Sequence, residues 1–151
     1  MTMHVKKFLP ESDLHAIARF IGEQERTTSG QIRVSIRQRR ERKERGLAIE
    51  ELARKEFYAL GMNKTAERTG VLIFLLLEDK KFHIFADEGI HKKVGEGTWQ
   101  TIANEIARHF SDKKFLEGIL HGIRVVASEL SRHFPRKPGS NNDLPNTVQV
   151  H

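Results

Sequence analysis

The sequence predicts an α/β protein, a three-layer α/β/α sandwich around a small mixed β-sheet with a central β-hairpin. Residues 71–77 are an unbroken run of seven apolar residues. A membrane-spanning helix needs about 20 residues, so this run is typical of a strand that is buried on both faces. A polar turn and a second apolar segment, residues 82–86, follow it, which predicts an antiparallel hairpin. Amphipathic helical patterns before and after the hairpin supply the two outer layers.

A further strand and a helix are predicted ahead of the hairpin. Within residues 31–37, Ile32, Val34 and Ile36 alternate with polar side chains. This alternation predicts a strand with one well-covered face, nearer to a sheet edge than residues 71–77. A helical stripe over residues 49–60, ended by Gly61, connects the two strands, which predicts a parallel pair joined by a right-handed crossover.

The remaining helices are predicted at the two ends of the domain. Apolar residues recur at helical spacing over residues 14–21, 99–110 and 115–130, and Ser111 is the expected N-cap of the last helix. Residues 1–135 therefore form one domain. Residues 136–151 are polar and contain proline and glycine, so we expect a disordered tail.

The composition excludes several classes of site. The chain has no cysteine, which excludes disulfides, thiolate zinc sites and cysteine nucleophiles. Lys and Arg number 26 against 20 Asp and Glu, a formal charge of +6 that favours weak attraction to polyanions. Since no segment has the pattern of a signal peptide or a membrane span, we expect the protein in the cytoplasm.

An acidic corner is predicted at one end of the hairpin. The antiparallel return of the second strand brings Asp87 and Glu88 beside Thr69, and the preceding loop adds Glu67. Hard oxygen ligands of this kind suit Ca²⁺ or Mg²⁺. The alternative is that Asp-Glu-Gly at a strand end is ordinary turn chemistry. Asp79 lies in the hairpin turn, up to about 25 Å away along the strand, and cannot share the ion.

A basic cluster is predicted at the opposite end of the sheet. We call residues 38–46 the basic loop, and its cations are Arg39, Arg40, Arg42, Lys43 and Arg45. Lys80 and Lys81 in the hairpin turn are expected beside it, because parallel strands end at the same edge of a sheet. Ligands of open α/β sheets bind at this carboxyl edge, so the cluster suits a phosphorylated ligand or a nucleic-acid backbone. The alternative is a solvated loop, and with no aromatic residue among the cations base stacking is not indicated.

Several segments resemble the TPM domain family, and in particular its short, solitary bacterial members. They are TSGQIRVSI (28–36), LGM (60–62), TGVLIF (69–74), EDKKFHIFADEGI (78–90), Trp99 and a closing HFP (133–135). The resemblance implies an α/β/α sandwich, calcium binding and acid phosphatase activity. The family's acidic-Gly-Ile element falls on Asp87, Gly89 and Ile90. Where longer members have an Asp-containing motif before the first helix, this chain reads FLPES (8–12).

The sequence and the resemblance together lead to one functional hypothesis and two alternatives. The hypothesis is a TPM-domain protein that binds a divalent cation and has an adaptor or quality-control role, with another protein as its partner. The first alternative is a weak metal-dependent phosphomonoesterase, although no convergent nucleophile and base are visible in the sequence. The second is non-specific binding of polyanions, among which nucleic acid ranks below the divalent cation.

Overall fold

The computed structural model of the chain describes residues 9–136 and 148–150. The helices are α1 (Glu11–Gln24), α2 (Ile49–Ala59), α3 (Glu88–His91), α4 (Glu96–Ser111) and α5 (Phe115–His133). The strands are β1 (Gln31–Arg37), β2 (Gly70–Leu76), β3 (Lys81–Ala86) and β4 (Gln149–Val150). Three short 3₁₀ helices lie at Glu25–Thr27, Arg42–Glu44 and Met62–Lys64.

The strands form one mixed sheet in the order β3-β2-β1-β4. β1 pairs with β2 in parallel, and the hairpin of β2 and β3 is antiparallel with Val71 opposite Ala86. Both pairings confirm the predictions from the sequence. Every residue of β2 is buried, as expected for the central strand of a covered sheet.

The two faces of the sheet are covered by separate apolar clusters, which gives the predicted three layers. Alternate residues of β1 and β2, from Ile32 to Leu75, pack with apolar residues of α1, α4 and α5. The other face of β2 packs with Leu52 and Phe57 of α2. In the part of the chain that the structure describes, none of the helices has the length and apolar character needed to cross a membrane.

The prediction for β1 is wrong in one respect: both of its faces are buried. Arg33 and Ser35, on the polar face, are 3% and 0% exposed. The alternation is real, but the polar face is covered by the acidic side chains of Glu44 and Glu56 instead of by water. An alternating pattern by itself cannot distinguish these two surroundings, since both favour polar side chains.

The connection before the last helix and the end of the chain also differ from the sequence predictions. Ser111 is the last residue of α4 instead of the N-cap of α5, because α4 ends in a Schellman turn: the Lys114 N–H donates to the His109 carbonyl and the Lys113 N–H to the Phe110 carbonyl. At the end of the chain, Gln149–Val150 pairs in parallel with β1 at Ser35 and Ile36, where we expected disorder. The open edge of β1 supplies the hydrogen-bonding groups for this strand. The other residues of the expected tail, apart from Arg136 and Val148, lie outside the described residues.

Candidate functional site

The Asp87 corner, by which we mean residues 67–70 and 87–89, lies where β3 ends beside the start of β2. The Asp87 N–H donates to the Gly70 carbonyl at 2.9 Å, which continues the hairpin pairing by one residue. The Asp87 carboxylate then accepts from the Glu88 N–H at 2.7 Å and so caps α3. A short polar side chain at this position ends the strand and begins the helix.

The carboxylate of Asp87 is also held by Arg68, a partner that sequence reasoning missed. Arg68 Nε and Nη2 donate to the two carboxylate oxygens at 2.8 and 2.9 Å, a bidentate pair. The hydrogen bonds that Arg68 donates to the Asp87 carboxylate raise the pKa of Arg68. The Asp87 side chain is 3% exposed, whereas that of Arg68 is 43% exposed. A buried carboxylate is therefore neutralised by a guanidinium that water can reach.

The other predicted ligands, Glu67, Thr69 and Glu88, differ in their exposure and in their contacts. The Glu88 carboxylate lies 3.3 Å from Lys92 Nζ, and both side chains are exposed. Glu67 is exposed, whereas Thr69 is buried and its N–H donates to the Thr65 hydroxyl at 3.0 Å. Over residues 9–136 and 148–150, no three or more acidic or histidine side chains are gathered as they would be around a metal ion.

Backbone oxygens complete the Asp87 corner. A Cβ atom placed on Gly89 would lie 2.6 Å from the Arg68 carbonyl oxygen and closer still to that of Glu67. The loop before β2 and the start of α3 therefore touch through backbone atoms. The carbonyl oxygens of Glu67 and Arg68 lie beside Gly89, two residues after Asp87.

A second cluster, which we call the polar row, lies between β1 and α2. Its members are Arg33, Ser35, Arg37, Glu44 and Glu56. The Ser35 hydroxyl donates to the Glu56 carboxylate. Arg37 Nη1 donates to Glu44 Oε1 at 2.6 Å, and Arg37 Nη2 lies 3.6 Å from Glu56 Oε1. Hydrogen bonding to Arg37 lowers the pKa of Glu44 against the opposing effect of its burial.

The start of β1 holds a buried acid and a buried base that are close but not paired. The Glu25 carboxylate accepts from the Ile32 N–H at 2.7 Å, and burial raises its pKa from 4.5 to about 7. Burial lowers the pKa of Arg33, while the charges of Glu25 and Glu56 oppose that shift. Arg33 Nε has no hydrogen-bond partner among the described residues. Because the side chains of the polar row and of Glu25 are largely buried, a substrate cannot reach them. We therefore assign these residues a structural role.

Comparison with known proteins decides the family. The sequence model of the TPM domain matches residues 4–129, most of the chain. The chain belongs to the TPM domain family. No curated protein matches it.

The solved structures that resemble this TPM domain include the following three. The BA42 protein of the psychrophilic bacterium Bizionia argentinensis is 32% identical, with a TM-score of 0.87, and the match covers 98% of this chain and 99% of that one. The N-terminal domain of a protein from P. gingivalis is 16% identical, with a TM-score of 0.66 and coverage of 88% of this chain and 85% of that one. The N-terminal domain of cg2496 from Corynebacterium glutamicum is 14% identical, with a TM-score of 0.57 and coverage of 93% and 80%. The last two show the fold alone.

The basic loop of the TPM domain lies beside the hairpin turn, where we expected it. Arg40 Nε donates to Asp79 Oδ2 at 2.7 Å, and its Nη1 donates to the carbonyls of Glu44 and Leu47. Arg40 therefore fastens the loop to the turn and is not available to a ligand. The exposed cations of the cluster are Arg39, Arg42, Lys43, Arg45, Lys80 and Lys81.

Proposed function

We propose that this TPM domain binds a divalent cation, Ca²⁺ or Mg²⁺, at the Asp87 corner, and that the bound form serves an adaptor or quality-control role toward another protein. One observation carries the proposal: the buried Asp87 carboxylate has a water-accessible guanidinium as its counter-ion. A metal ion can reach the same carboxylate if Arg68 turns outward. The cytoplasmic location also stays a prediction.

The donor set fits a hard cation in part. Asp87 supplies a carboxylate, and the backbone near Gly89 supplies carbonyl oxygens, which are the ligands that Ca²⁺ prefers. Glu67, Thr69 and Glu88 are the remaining donors that we would assign to the ion. Arg68 holds both oxygens of Asp87, so a cation must compete with it. This competition predicts modest affinity.

Isothermal titration calorimetry with Ca²⁺ and with Mg²⁺ tests the proposal. We expect one site per chain, and Asp87→Asn should weaken it at least about tenfold, which corresponds to about 1.4 kcal/mol. Asp112→Asn, which removes an exposed carboxylate elsewhere, is the matched control and should bind as the wild type does. Circular dichroism shows whether Asp87→Asn still folds.

Two results would remove the proposal. One is the absence of both heat and thermal stabilisation at millimolar Ca²⁺ and Mg²⁺. The other is equal weakening by Asp87→Asn and Asp112→Asn, which would mean that the ions only screen the surface charge.

Weak metal-dependent phosphatase activity is the second candidate, and it depends on the same corner. It is supported by the family resemblance and by a metal ion's ability to generate a nucleophile from bound water. The Ser35 hydroxyl is fully buried and cannot reach a substrate in this conformation. Hydrolysis of a chromogenic phosphate ester should stop with a chelator and with Asp87→Asn, and should survive Ser35→Ala. Activity that resists both the chelator and Asp87→Asn would contradict this candidate.

A further inference from the structure

A cavity of about 620 Å³ lies at the carboxyl end of β2, far from the Asp87 corner along the hairpin. Its walls come from the last residues of β2, the hairpin turn, and the junction between α4 and α5. Ligand pockets of proteins typically measure about 300–1,000 Å³, and open α/β sheets bind ligands at this edge. The size and position are therefore those of a binding site for a small molecule.

The interior of the cavity is apolar. Phe82, Phe110 and Phe115 form an aromatic wall. The ring centroids of Phe82 and Phe110 are 5.3 Å apart, and those of Phe110 and Phe115 are 5.6 Å apart. Leu75 and Leu77 at the end of β2 contribute aliphatic surface. A hydrocarbon chain would find apolar contacts here that water cannot match.

The rim of the cavity is cationic. Lys80, Lys81 and Lys113 line it and are exposed, and none of the described lining residues is acidic. An apolar interior with amines at the opening is complementary to a molecule that has a hydrocarbon part and an anionic end. A neutral or cationic molecule of the same shape would gain no electrostatic attraction from these lysines.

The backbone at two of these lysines is an independent observation. Lys80 has φ +54° and Lys113 has φ +61°, in the left-handed region that favours glycine. Lys80 ends the hairpin turn, and Lys113 occupies the Schellman position where glycine is the usual residue. A cation near a helix C-terminus is common, but that reason does not apply to Lys80. Unfavourable backbone conformations of this kind cluster at functional sites.

We propose that this cavity binds an amphipathic anion, a linear hydrocarbon chain that ends in a carboxylate or a phosphate. The chain lies against the three phenylalanine rings, and the anionic end lies among Lys80, Lys81 and Lys113. This site is separate from the cation site at the Asp87 corner and does not depend on it.

Titration calorimetry with four dodecyl probes tests the charge preference, with each probe kept below its micelle concentration or, for dodecanol, below its solubility limit. The probes are dodecanoate, dodecyl phosphate, dodecanol and dodecyltrimethylammonium. We expect one molecule of dodecanoate or dodecyl phosphate per chain, and binding of the neutral and cationic probes that is weaker by about tenfold or more. The stronger of the two anions identifies the head group. No binding of either anion, or equal binding of all four probes, would overturn the proposal.

The variant Lys80→Gly with Lys113→Gly separates a ligand-binding role from a structural one. Glycine relieves both left-handed positions, so the unliganded variant should be at least as stable as the wild type. Its affinity for the anionic probe should nevertheless fall about tenfold, while dodecanol binding stays unchanged. Lys64→Gln with Lys93→Gln removes the same charge at the opposite end of the hairpin and is the control. Equal affinity of the glycine variant and the wild type would overturn the proposal.

A second variant fills the cavity without changing its charge. Ala107 lines the cavity on the exposed side of α4, so Ala107→Phe should block the probe while the core stays intact. Thr101→Phe adds the same ring at an exposed position of the same helix outside the cavity. Binding that survives Ala107→Phe, or that is lost equally in both variants, would place the probe elsewhere and overturn the proposal.

Discussion

Gly89 is the residue on which the close approach in the Asp87 corner depends. A methyl group there would overlap with the carbonyl oxygens of Glu67 and Arg68. We expect Gly89→Ala to lower the free energy of unfolding by about 3 kcal/mol, because the overlapping atoms belong to backbone that must shift. Gly95→Ala is the matched control, since nothing lies within 4 Å of a Cβ at that position. Chemical denaturation measures both, and equal stabilities would show that the corner is loosely packed.

Glu25 is the residue that should make stability depend on pH. Its pKa is raised from 4.5 to about 7, so the folded state binds the proton more strongly than the unfolded state. The stabilising contribution is therefore present below pH 4.5 and is lost as the pH rises toward 7. At about 1.36 kcal/mol per pKa unit, the loss is about 3 kcal/mol. Burial raises the pKa more than the Ile32 N–H and the charges of Arg33 and Arg136 lower it.

The variant Glu25→Gln tests this pH dependence, since an amide keeps an acceptor for the Ile32 N–H but cannot ionise. We expect a flatter curve of unfolding free energy against pH between 4.5 and 7, and a variant that is more stable than the wild type above pH 7. Glu23→Gln changes an exposed carboxylate at the end of α1, two residues before Glu25, and is the control. A wild-type curve that rises through this interval, with no difference from Glu25→Gln, would contradict the assignment.

At the scale of the elements, β1 shows what hydrophobic periodicity can and cannot predict. The alternation of apolar and polar residues predicts its bounds, Gln31–Arg37, because this alternation is a local property of the chain. The burial of its polar face depends on Glu44 in the basic loop and Glu56 in α2, whose ion pairs with Arg37 are set by the tertiary arrangement of these elements. The pairing of Arg68 with Asp87 could not be predicted for the same reason, since the two residues are nineteen positions apart in the sequence. The alternating Val-Gln-Val at 148–150 was the available signal for β4.

The basic loop is the element on which polyanion binding would depend. Because Arg40 is bound to Asp79 and to two carbonyls, replacing it would damage the loop itself. The informative variant changes only exposed arginines of the loop to glutamate: Arg39, Arg42 and Arg45. We expect it to abolish weak binding to duplex DNA, with no change in thermal midpoint. The wild-type affinity should fall with salt at a log–log slope of about −0.9 per phosphate contact.

The control for the basic loop has the same charge change elsewhere on the surface. It replaces three other exposed arginines by glutamate: Arg19, Arg26 and Arg108. If both triple variants weaken DNA binding equally, the attraction comes from the net charge of +6 and not from the loop.

For the whole molecule, the fold was predictable because each layer produces its own local pattern of apolar residues in the sequence. The buried run before the hairpin, the helical stripes and Gly61 at the end of α2 all agree with one architecture. The candidate sites were predictable only in their location. Strand order brings Asp87 to Gly70 and Arg40 to Asp79, whereas the side-chain partners depend on rotamers and loop conformations that the sequence does not display.

Our proposed cation site requires a divalent cation and Arg68 to compete for the Asp87 carboxylate, and the response of Arg68→Gln to Ca²⁺ tests this competition. The Ca²⁺-induced rise in thermal midpoint should be compared between the wild type and Arg68→Gln, with Arg54→Gln, another exposed arginine, as the control. Removing the competing guanidinium leaves a buried carboxylate without its cation, so Arg68→Gln should be less stable without Ca²⁺ and should gain more from it. An affinity for Ca²⁺ at least about tenfold higher than that of the wild type is the predicted result. Arg68→Gln that gains no more from Ca²⁺ than Arg54→Gln would contradict the claim.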